Sequence, residues 1–139
     1  MIILDTNVVS EPTKPLANPN VAAWINRQDR RSMFLTAISL AELMEGVAIL
    51  PDGKRKQAMR LSVDKLIAEL IVRPILPFDR RAAYAYASLF ACAKAKKYTP
   101  PIADAQIAAI AAVHGFTVAT RDVEPFRAAG VAVINPWTE

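Results

Sequence analysis

The chain has 139 residues, of which 53% are hydrophobic, so we expect a single domain over residues 1–139 and no second independent domain. No apolar run reaches the roughly 18 to 20 residues that span a bilayer, and the first residues lack the basic flank of a signal peptide, so the sequence predicts a cytoplasmic protein with no membrane segment. A single Cys and a single His exclude an internal disulfide and a structural zinc site, while a net charge of +4 suits a polyanionic partner.

The first half of the chain predicts two strands and three helices. Residues 2–4 form a short continuous apolar run, which is typical of a buried parallel strand. Several prolines precede a short predicted helix at about 21–27. A second strand at 33–36 leads into a helix over about 40–49. Apolar residues at helical spacing then predict a long amphipathic helix over 54–70.

The second half predicts three further strands and two helices. Residues 71–76 are apolar enough for a third strand, and Asp79 is the expected N-cap of an alanine-rich helix that runs to about residue 96. A helix over about 103–114 is followed by strands at 117–119 and 131–134. Strands that alternate with helices predict a three-layer α/β fold, with a mostly parallel five-stranded sheet flanked by helices.

Four carboxylates are expected at the carboxyl edge of this sheet, where folds of this class place their sites. Asp5 ends the first strand, and Asp122 follows the fourth after two residues. Glu42 lies in the predicted first turn of the helix that leaves the second strand. The helix that begins near Asp104 runs antiparallel to the fourth strand, so its first turn returns to the same edge. Four acids from distant segments should therefore converge.

Each acid also has a purely structural explanation. Asp5 could cap the turn after its strand, and Asp122 could form an Asx turn. Glu42 could complete a capping box with Ser39. Asp104 could complement the dipole at its helix terminus. Taken together these explanations weaken, because four neighbouring carboxylates would raise one another's pKa values unless a cation neutralised them.

A site made only of oxygen ligands favours a hard cation, Mg²⁺ or Mn²⁺. Such an ion can orient water, lower the pKa of that water and stabilise the charge that develops on a phosphodiester. Without the four acids, nine acidic residues remain against 17 basic ones, an excess of +8. An acidic pocket in a basic surround suits a nucleic-acid backbone. Many of the basic residues occur in clusters: Arg27, Arg30 and Arg31; Lys54, Arg55, Lys56 and Arg60; Arg80 and Arg81; Lys94, Lys96 and Lys97.

Several motifs occur in an order that resembles PIN-domain nucleases. They are Asp5-Thr6-Asn7-Val8, Ser39-Leu-Ala-Glu42, Asp104 at a helix start, and Ala119-Thr120-Arg121-Asp122. Within that family the chain is most similar to the VapC and FitB group of toxins from bacterial type II toxin–antitoxin pairs. Three further motifs carry this likeness: Ser10-Glu11-Pro12, Leu76-Pro77-Phe78-Asp79 and Asn135-Pro136-Trp137.

The resemblance implies a ribonuclease toxin that uses Mg²⁺ or Mn²⁺ and cleaves RNA. It implies that the metal ligands and catalytic residues are Asp5, Glu42, Asp104 and Asp122. Thr6 and Thr120 would supply supporting hydroxyls, and Asn7 would lie near the pocket. It also implies a homodimer, and a DNA-binding antitoxin that inhibits the toxin and through which alone the toxin reaches operator DNA. Glu45 matches no ligand of the family and could either approach the pocket or face solvent.

Two other functions fit parts of the sequence. The protein could act mainly with its antitoxin on operator DNA, with a weak or latent nuclease, although the intact acids argue against this. It could also be a phosphatase with Asp5 as nucleophile, but Asn7 stands where such enzymes usually have a second acid. Elsewhere in the chain, Cys92 is predicted to lie in the core.

Overall fold

The computed structural model describes residues 1–139. Its sheet has four short strands that pair in the order β2-β1-β3-β4, and every pair is parallel. The strands are β1 (Ile2–Leu4), β2 (Met33–Phe34), β3 (Thr117–Ala119) and β4 (Val133–Ile134). Because β1 and β3 are the central strands and are covered on both faces, their sequences are apolar throughout and do not alternate.

Seven α-helices surround the sheet. They are α1 (Thr6–Ser10), α2 (Pro19–Arg27), α3 (Ala37–Ala48), α4 (Lys54–Leu70), α5 (Arg80–Ala95), α6 (Ile102–His114) and α7 (Val123–Ala128), with 3₁₀ turns at Glu11–Thr13 and Arg30–Ser32. No helix is both long enough and apolar enough to cross a membrane.

The core consists of two apolar clusters, one on each face of the sheet. Adjacent residues of a strand point to opposite faces, and Leu4 and Ile3 accordingly belong to different clusters. Leu4 packs with residues from α1 to α4, including Val8, Trp24 and Leu43. Ile3 packs with residues from α5, α6 and α7. This arrangement confirms the predicted layers of helix, sheet and helix.

The predicted third strand is wrong, so the sheet has four strands and not five. Within residues 71–76 only Leu76 pairs with another backbone segment, through a single parallel bridge to Thr36 beside β2. The Leu76 N–H donates to the Leu35 carbonyl at 2.9 Å. Pro74 has no N–H to donate to a ladder, and residues 72–74 are exposed. The apolar composition of residues 71–76 was therefore not sufficient to predict a strand.

Local capping explains where the helices begin. Asn18 accepts a hydrogen bond from the Asn20 N–H at 2.9 Å, so α2 begins at Pro19 and not near residue 21. Thr36 accepts one from the Ser39 N–H at 3.0 Å, so α3 begins three residues earlier than predicted. The predicted cap at Asp79 is confirmed, because its carboxylate accepts from the Ala82 N–H at 3.0 Å.

The prediction of a buried Cys92 is wrong, because its side chain is exposed. The buried residues of α5 are Ala82 and Ala93, which are eleven residues, or about three turns, apart. Cys92 precedes Ala93 by one residue and is therefore turned by about 100° away from the core-facing stripe. The alanine-rich sequence of α5 did not reveal which stripe would be buried.

Candidate functional site

All four acids of interest follow or face the carboxyl ends of the central strands. Asp5 directly follows β1 and is the N-cap of α1, and Asp122 follows β3 and is the N-cap residue of α7. Asp104 is the third residue of α6. Glu42 is the sixth residue of α3, in its second turn and not in its first, because that helix begins at Ala37.

Electrostatic coupling shows that these acids have been brought together. The pKa of Asp104 is raised to about 6, chiefly by burial and additionally by the charges of Asp5, Glu42 and Asp122. The pKa of Asp5 is also raised, chiefly by burial, with smaller contributions from the charges of Glu42 and Asp122. Two of the four acids are therefore harder to ionise than an isolated aspartate.

Asp5 is fixed by three hydrogen-bond donors. Its Oδ1 accepts from the Thr6 N–H at 2.8 Å, and its Oδ2 accepts from the Thr120 hydroxyl at 2.7 Å and from the Asn7 side-chain amide at 2.9 Å. The hydrogen bonds from Thr120 and Thr6 lower the pKa of Asp5 but do not offset its burial, since only 3% of the residue is exposed. The structural explanation of Asp5 as a cap is thus also correct, and it leaves the carboxylate rigidly oriented.

The hydroxyls of Thr6 and Thr120 and the amide of Asn7 connect the segments that carry the acids. The Thr6 hydroxyl donates to Glu42 Oε1 at 2.8 Å, which joins α1 to α3. Asn7 Nδ2 donates to the Thr120 hydroxyl at 3.3 Å, and that hydroxyl accepts from the Asp122 N–H at 3.1 Å. Residues that are far apart in the chain are thereby held in one network.

The capping box that was the structural alternative for Glu42 is absent. Thr36 is the N-cap of α3, and Ser39 lies inside the helix with its hydroxyl 3.0 Å from that of Thr36. Glu42 instead accepts the hydrogen bond from Thr6. The Asp122 side chain makes no capping hydrogen bond to α7, so it forms no Asx cap there.

Two further residues, Glu45 and Tyr98, lie close to these acids in the sequence. Glu45 is exposed and is not among the charges that affect Asp5 or Asp104, so the structure turns it toward solvent. Tyr98 was not found by sequence reasoning. The pKa of Tyr98 is raised by burial and by the charges of Asp104 and Glu124. The influence of Asp104 indicates that Tyr98 lies close to the amino end of α6. An aromatic residue shortly before the helix with Asp104 was the available signal.

The chemistry of the donors fits a hard divalent cation. All four side chains offer oxygen, and a cation would restore the ionised forms that burial disfavours at Asp5 and Asp104. The side chains would have to draw closer together, because no three acidic, His or Cys side chains are already arranged to hold one ion. The hydrogen-bonded Asp5 is the side chain with least freedom to move.

A groove of about 230 Å³ is lined by residues of α1, α3 and α4. Its lining includes Thr6 and Glu42 of the candidate site together with Arg55 and Met59 of α4. A larger cavity of about 730 Å³ lies farther along α3 and α4 and includes none of the four acids. The candidate site is therefore an open acidic crevice and not the largest cavity of the protein.

Comparison with known proteins identifies the family. The sequence profile described as "PIN domain" matches residues 2–131. The chain belongs to the PIN-domain family. It is 45% identical over 137 residues to Toxin FitB of Neisseria gonorrhoeae, with 99% of each chain covered, and 44% identical over 137 residues to VapC ribonuclease Y4jK of Sinorhizobium fredii, with 99% and 98% covered. The resemblance to VapC and FitB toxins is thus confirmed.

A solved structure extends this likeness to three dimensions. The structure of FitAB bound to an IR36 DNA fragment contains a chain that superposes on this PIN domain with a TM-score of 0.92 and 44% identity. The alignment covers 99% of this chain and 96% of that chain. The prediction of an α/β PIN fold with a parallel sheet between helices is therefore confirmed, with the corrected number of strands.

Proposed function

We propose that the protein is an endoribonuclease toxin, formed by a single PIN domain over residues 1–139, that cleaves RNA phosphodiester bonds with Mg²⁺ or Mn²⁺. The proposed metal ligands and catalytic residues are Asp5, Glu42, Asp104 and Asp122. The observation that carries this proposal is the convergence of four carboxylates from four segments, where burial and the neighbouring charges together raise the pKa of Asp104 to about 6. The names of its relatives, a toxin and a ribonuclease, support the same activity.

The chain's own residues would prepare this site before substrate binds. Asp5 presents a carboxylate oriented by Thr6, Asn7 and Thr120, and Glu42 is oriented by the Thr6 hydroxyl. A bound Mg²⁺ or Mn²⁺ would supply Lewis acidity and a water of lowered pKa. The excess of +8 on the rest of the chain would attract the RNA backbone toward the acidic crevice.

Cleavage of RNA by the purified protein tests this function directly. We expect cleavage of single-stranded or structured RNA with Mg²⁺ or Mn²⁺, and loss of cleavage with EDTA. Undiminished cleavage in the chelator would contradict the role of the metal. A substrate array that includes the same sequences as DNA would decide whether RNA is the preferred polymer.

An antitoxin is the proposed partner. A cluster of carboxylates is a natural receptor for a guanidinium group, which forms charge-assisted and often bidentate hydrogen bonds. We propose that the tail of a DNA-binding antitoxin places an Arg or Lys among the four acids and competes there with the metal. Binding measured against an Asp104→Asn, Asp122→Asn double variant tests this, since equal affinity and no competition by metal would exclude the acidic crevice.

We further propose a cytoplasmic homodimer that reaches operator DNA only through its antitoxin. Exposed apolar side chains such as Leu61 and Tyr84, which are 70% and 68% exposed, are available for burial between two copies. Light scattering at micromolar concentration would test the dimer, and a strict monomer would contradict it.

A second candidate function is operator binding with a weak or latent nuclease. The DNA-bound FitAB structure favours this alternative, because a similar chain occurs there in a complex on DNA. The variant Asp5→Asn separates the two functions. A nuclease toxin would lose its effect on cell growth, whereas a protein that acts only on operator DNA would keep its cellular effect.

A further inference from the structure

Arg121 stands between two residues of the candidate site, Thr120 and Asp122, but its own side chain points to neither. Its guanidinium carbon lies 5.7 Å from the centre of the Trp137 ring, a distance at which a cation and an aromatic face attract one another. Its backbone N–H donates to the Asn7 side-chain oxygen at 3.2 Å. Both its backbone and its side chain are therefore engaged by distant parts of the chain.

The ring that receives Arg121 is itself held in place. The Trp137 N–H donates to the Asn135 side-chain oxygen at 3.0 Å, and the Trp137 carbonyl accepts from the Asn20 side-chain amide at 3.4 Å. Trp137 is also partly buried against the apolar cluster that contains Leu4. A residue near the end of the chain thus offers Arg121 a fixed aromatic surface.

A buried carboxylate adds a longer-range electrostatic attraction for the same guanidinium. Glu11 is 5% exposed and is bonded to Lys14 Nζ at 2.6 Å and to the Asn18 N–H at 2.9 Å. These bonds lower the pKa of Glu11, and the nearby charge of Arg121 lowers it further. The Arg121 side chain is therefore attracted both by a fixed ring and by a fixed negative charge.

The loop that carries Asp122 runs from the buried Thr120 to α7, which is anchored by the buried Phe126, and its exposed residues are Arg121 and Asp122. The Thr120 hydroxyl holds the Asp122 N–H at 3.1 Å, but the Asp122 side chain makes no hydrogen bond to the helix that it begins. Movement of residue 121 would move Asp122 with it, because the two share a peptide bond. An anchored Arg121 side chain would suppress that movement.

We infer that Arg121, whose guanidinium lies over the Trp137 ring, is a positioning residue that holds Asp122 toward the other three acids. This inference rests on the proposed function, since it assigns to Arg121 an effect on how well the four acids bind a divalent cation. Arg121 acts through the loop backbone and does not itself reach the metal. Loss of such an indirect support lowers metal affinity by about 10- to 100-fold in characterised metal sites.

The test compares the full chain with Arg121→Ala, and uses Arg73→Ala as the matched control. Arg73 makes a similar contact, 5.9 Å from the Phe34 ring. Phe34 packs against Phe116, which precedes β3, so this contact lies toward the opposite edge of the sheet. Both arginines are exposed, and neither substitution opens the core.

Two measurements decide the inference. In the metal-free protein, hydrogen exchange of the Asp122 amide, followed by NMR, should become about tenfold faster in Arg121→Ala because the loop opens more often. In calorimetric titration with Mn²⁺, the same variant should bind about tenfold more weakly. Arg73→Ala should leave both values at the wild-type level. Unchanged exchange and unchanged Mn²⁺ affinity in Arg121→Ala would overturn the inference.

Substitutions of Trp137 establish whether Arg121 acts through the ring. Trp137→Phe keeps an aromatic face and should preserve Mn²⁺ affinity, whereas Trp137→Leu keeps apolar bulk only and should weaken binding. The double variant Arg121→Ala, Trp137→Leu should bind Mn²⁺ no more weakly than Arg121→Ala alone, because the two residues form one unit. Additive losses would contradict this arrangement.

The outcomes also separate this inference from the proposed function. An Arg121→Ala variant that only raises KM for RNA, with normal Mn²⁺ affinity, would make Arg121 a substrate contact and overturn the positioning role. A wild-type protein that binds no Mn²⁺ and cleaves no RNA would refute the proposed function. The exchange of the Asp122 amide would still decide whether Arg121 restrains the loop.

Discussion

Two acids of the candidate site, Asp5 and Asp104, are held in different ways. Asp5, after β1, receives hydrogen bonds from Thr6, Asn7 and Thr120, so its orientation is set by the protein. Asp104, at the start of α6, has its pKa raised by burial and by three neighbouring charges, with no hydrogen bond to offset them. One part of the crevice is therefore organised in advance, and the other depends on a cation to relieve repulsion.

Asp5 and Asp104 can therefore be equally important for activity and still differ in their effect on stability. Removing the charge of Asp5 disturbs a satisfied network, whereas removing the charge of Asp104 relieves an unfavourable one. The same conservative substitution should thus have opposite effects on the metal-free fold at the two positions.

The largest effect is expected from Asp5→Asn and Asp104→Asn on RNA cleavage. Each substitution removes one charge from the proposed metal site with little change in volume, so each should reduce the cleavage rate by about 100-fold or more. Initial rates on a labelled RNA with saturating Mn²⁺ measure this. Full activity in either variant would show that its acid was wrongly assigned to the site. Glu42→Gln and Asp122→Asn should behave in the same way.

A smaller loss should follow from Thr120→Val. This change removes the hydroxyl that donates to Asp5 at 2.7 Å and accepts from the Asp122 N–H at 3.1 Å, but it leaves all four carboxylates in place. We expect Mn²⁺ affinity and cleavage to fall by about 10- to 100-fold. Thr120→Ser retains the hydroxyl and should stay close to wild type. Equal activity of the Val and Ser variants would rule out a role for this hydroxyl.

The third prediction concerns stability in the absence of metal. The folded pKa of Asp104 is about 6, above its ordinary value of 3.8, so the ionised form destabilises the folded state. That penalty is present above pH 6, and protonation relieves it as the pH falls through about 6 toward 3.8. The metal-free protein should therefore gain about 0.5 kcal/mol from Asp104 between pH 7.5 and 5.5, a value reduced for its partial exposure.

Thermal unfolding with EDTA measures this effect. At pH 7.5 the melting temperature of Asp104→Asn should exceed that of wild type by about 3 °C, and this difference should shrink at pH 5.5. Asp5→Asn should instead lower the melting temperature, because its new amide group faces hydrogen-bond donors. A lower melting temperature in Asp104→Asn at pH 7.5 would contradict the contrast between the two acids.

The smallest effect is expected from Glu45→Gln. Glu45 is one helical turn beyond Glu42, but it is exposed and does not contribute to the raised pKa values of Asp5 and Asp104. We expect less than about a twofold change in cleavage rate and Mn²⁺ affinity. Paired assays of Glu45→Gln and Glu42→Gln check this, and a large loss in both would extend the acidic site along α3.

Local sequence signals predicted much of the fold. The apolar run of β1, the cap at Asp79 and the end of α6 before Gly115 all occur where the sequence indicated, and Gly115 adopts the left-handed conformation with φ of +66°. These features depend on residues within a few positions of one another. The order of strands and helices was likewise sufficient to predict that four acids would meet at one edge of the sheet.

Features that depend on distant partners were decided only by the tertiary structure. A strand at residues 71–76 requires a neighbour along its length, and only Leu76 finds one. The exposure of Cys92 depends on which stripe of α5 packs, and the alanine-rich helix sequence does not specify that stripe. The hydrogen bond from Thr6, and not a capping box, holds Glu42.

The candidate site also has features that the sequence predicted and features that only the folded structure shows. Its four acids were expected to meet from the strand order and the spacing of the motifs, whereas its three supporting residues were implied by the resemblance to PIN-domain nucleases. The hydrogen bonds and electrostatic interactions within the site were not predicted. Asn7 and Thr120 are 113 residues apart, and the pKa of Asp104 depends partly on charges from three other segments. Hydrogen bonds and electrostatic coupling act through space, so only the folded structure decided which donors orient Asp5 and where the Arg121 side chain lies.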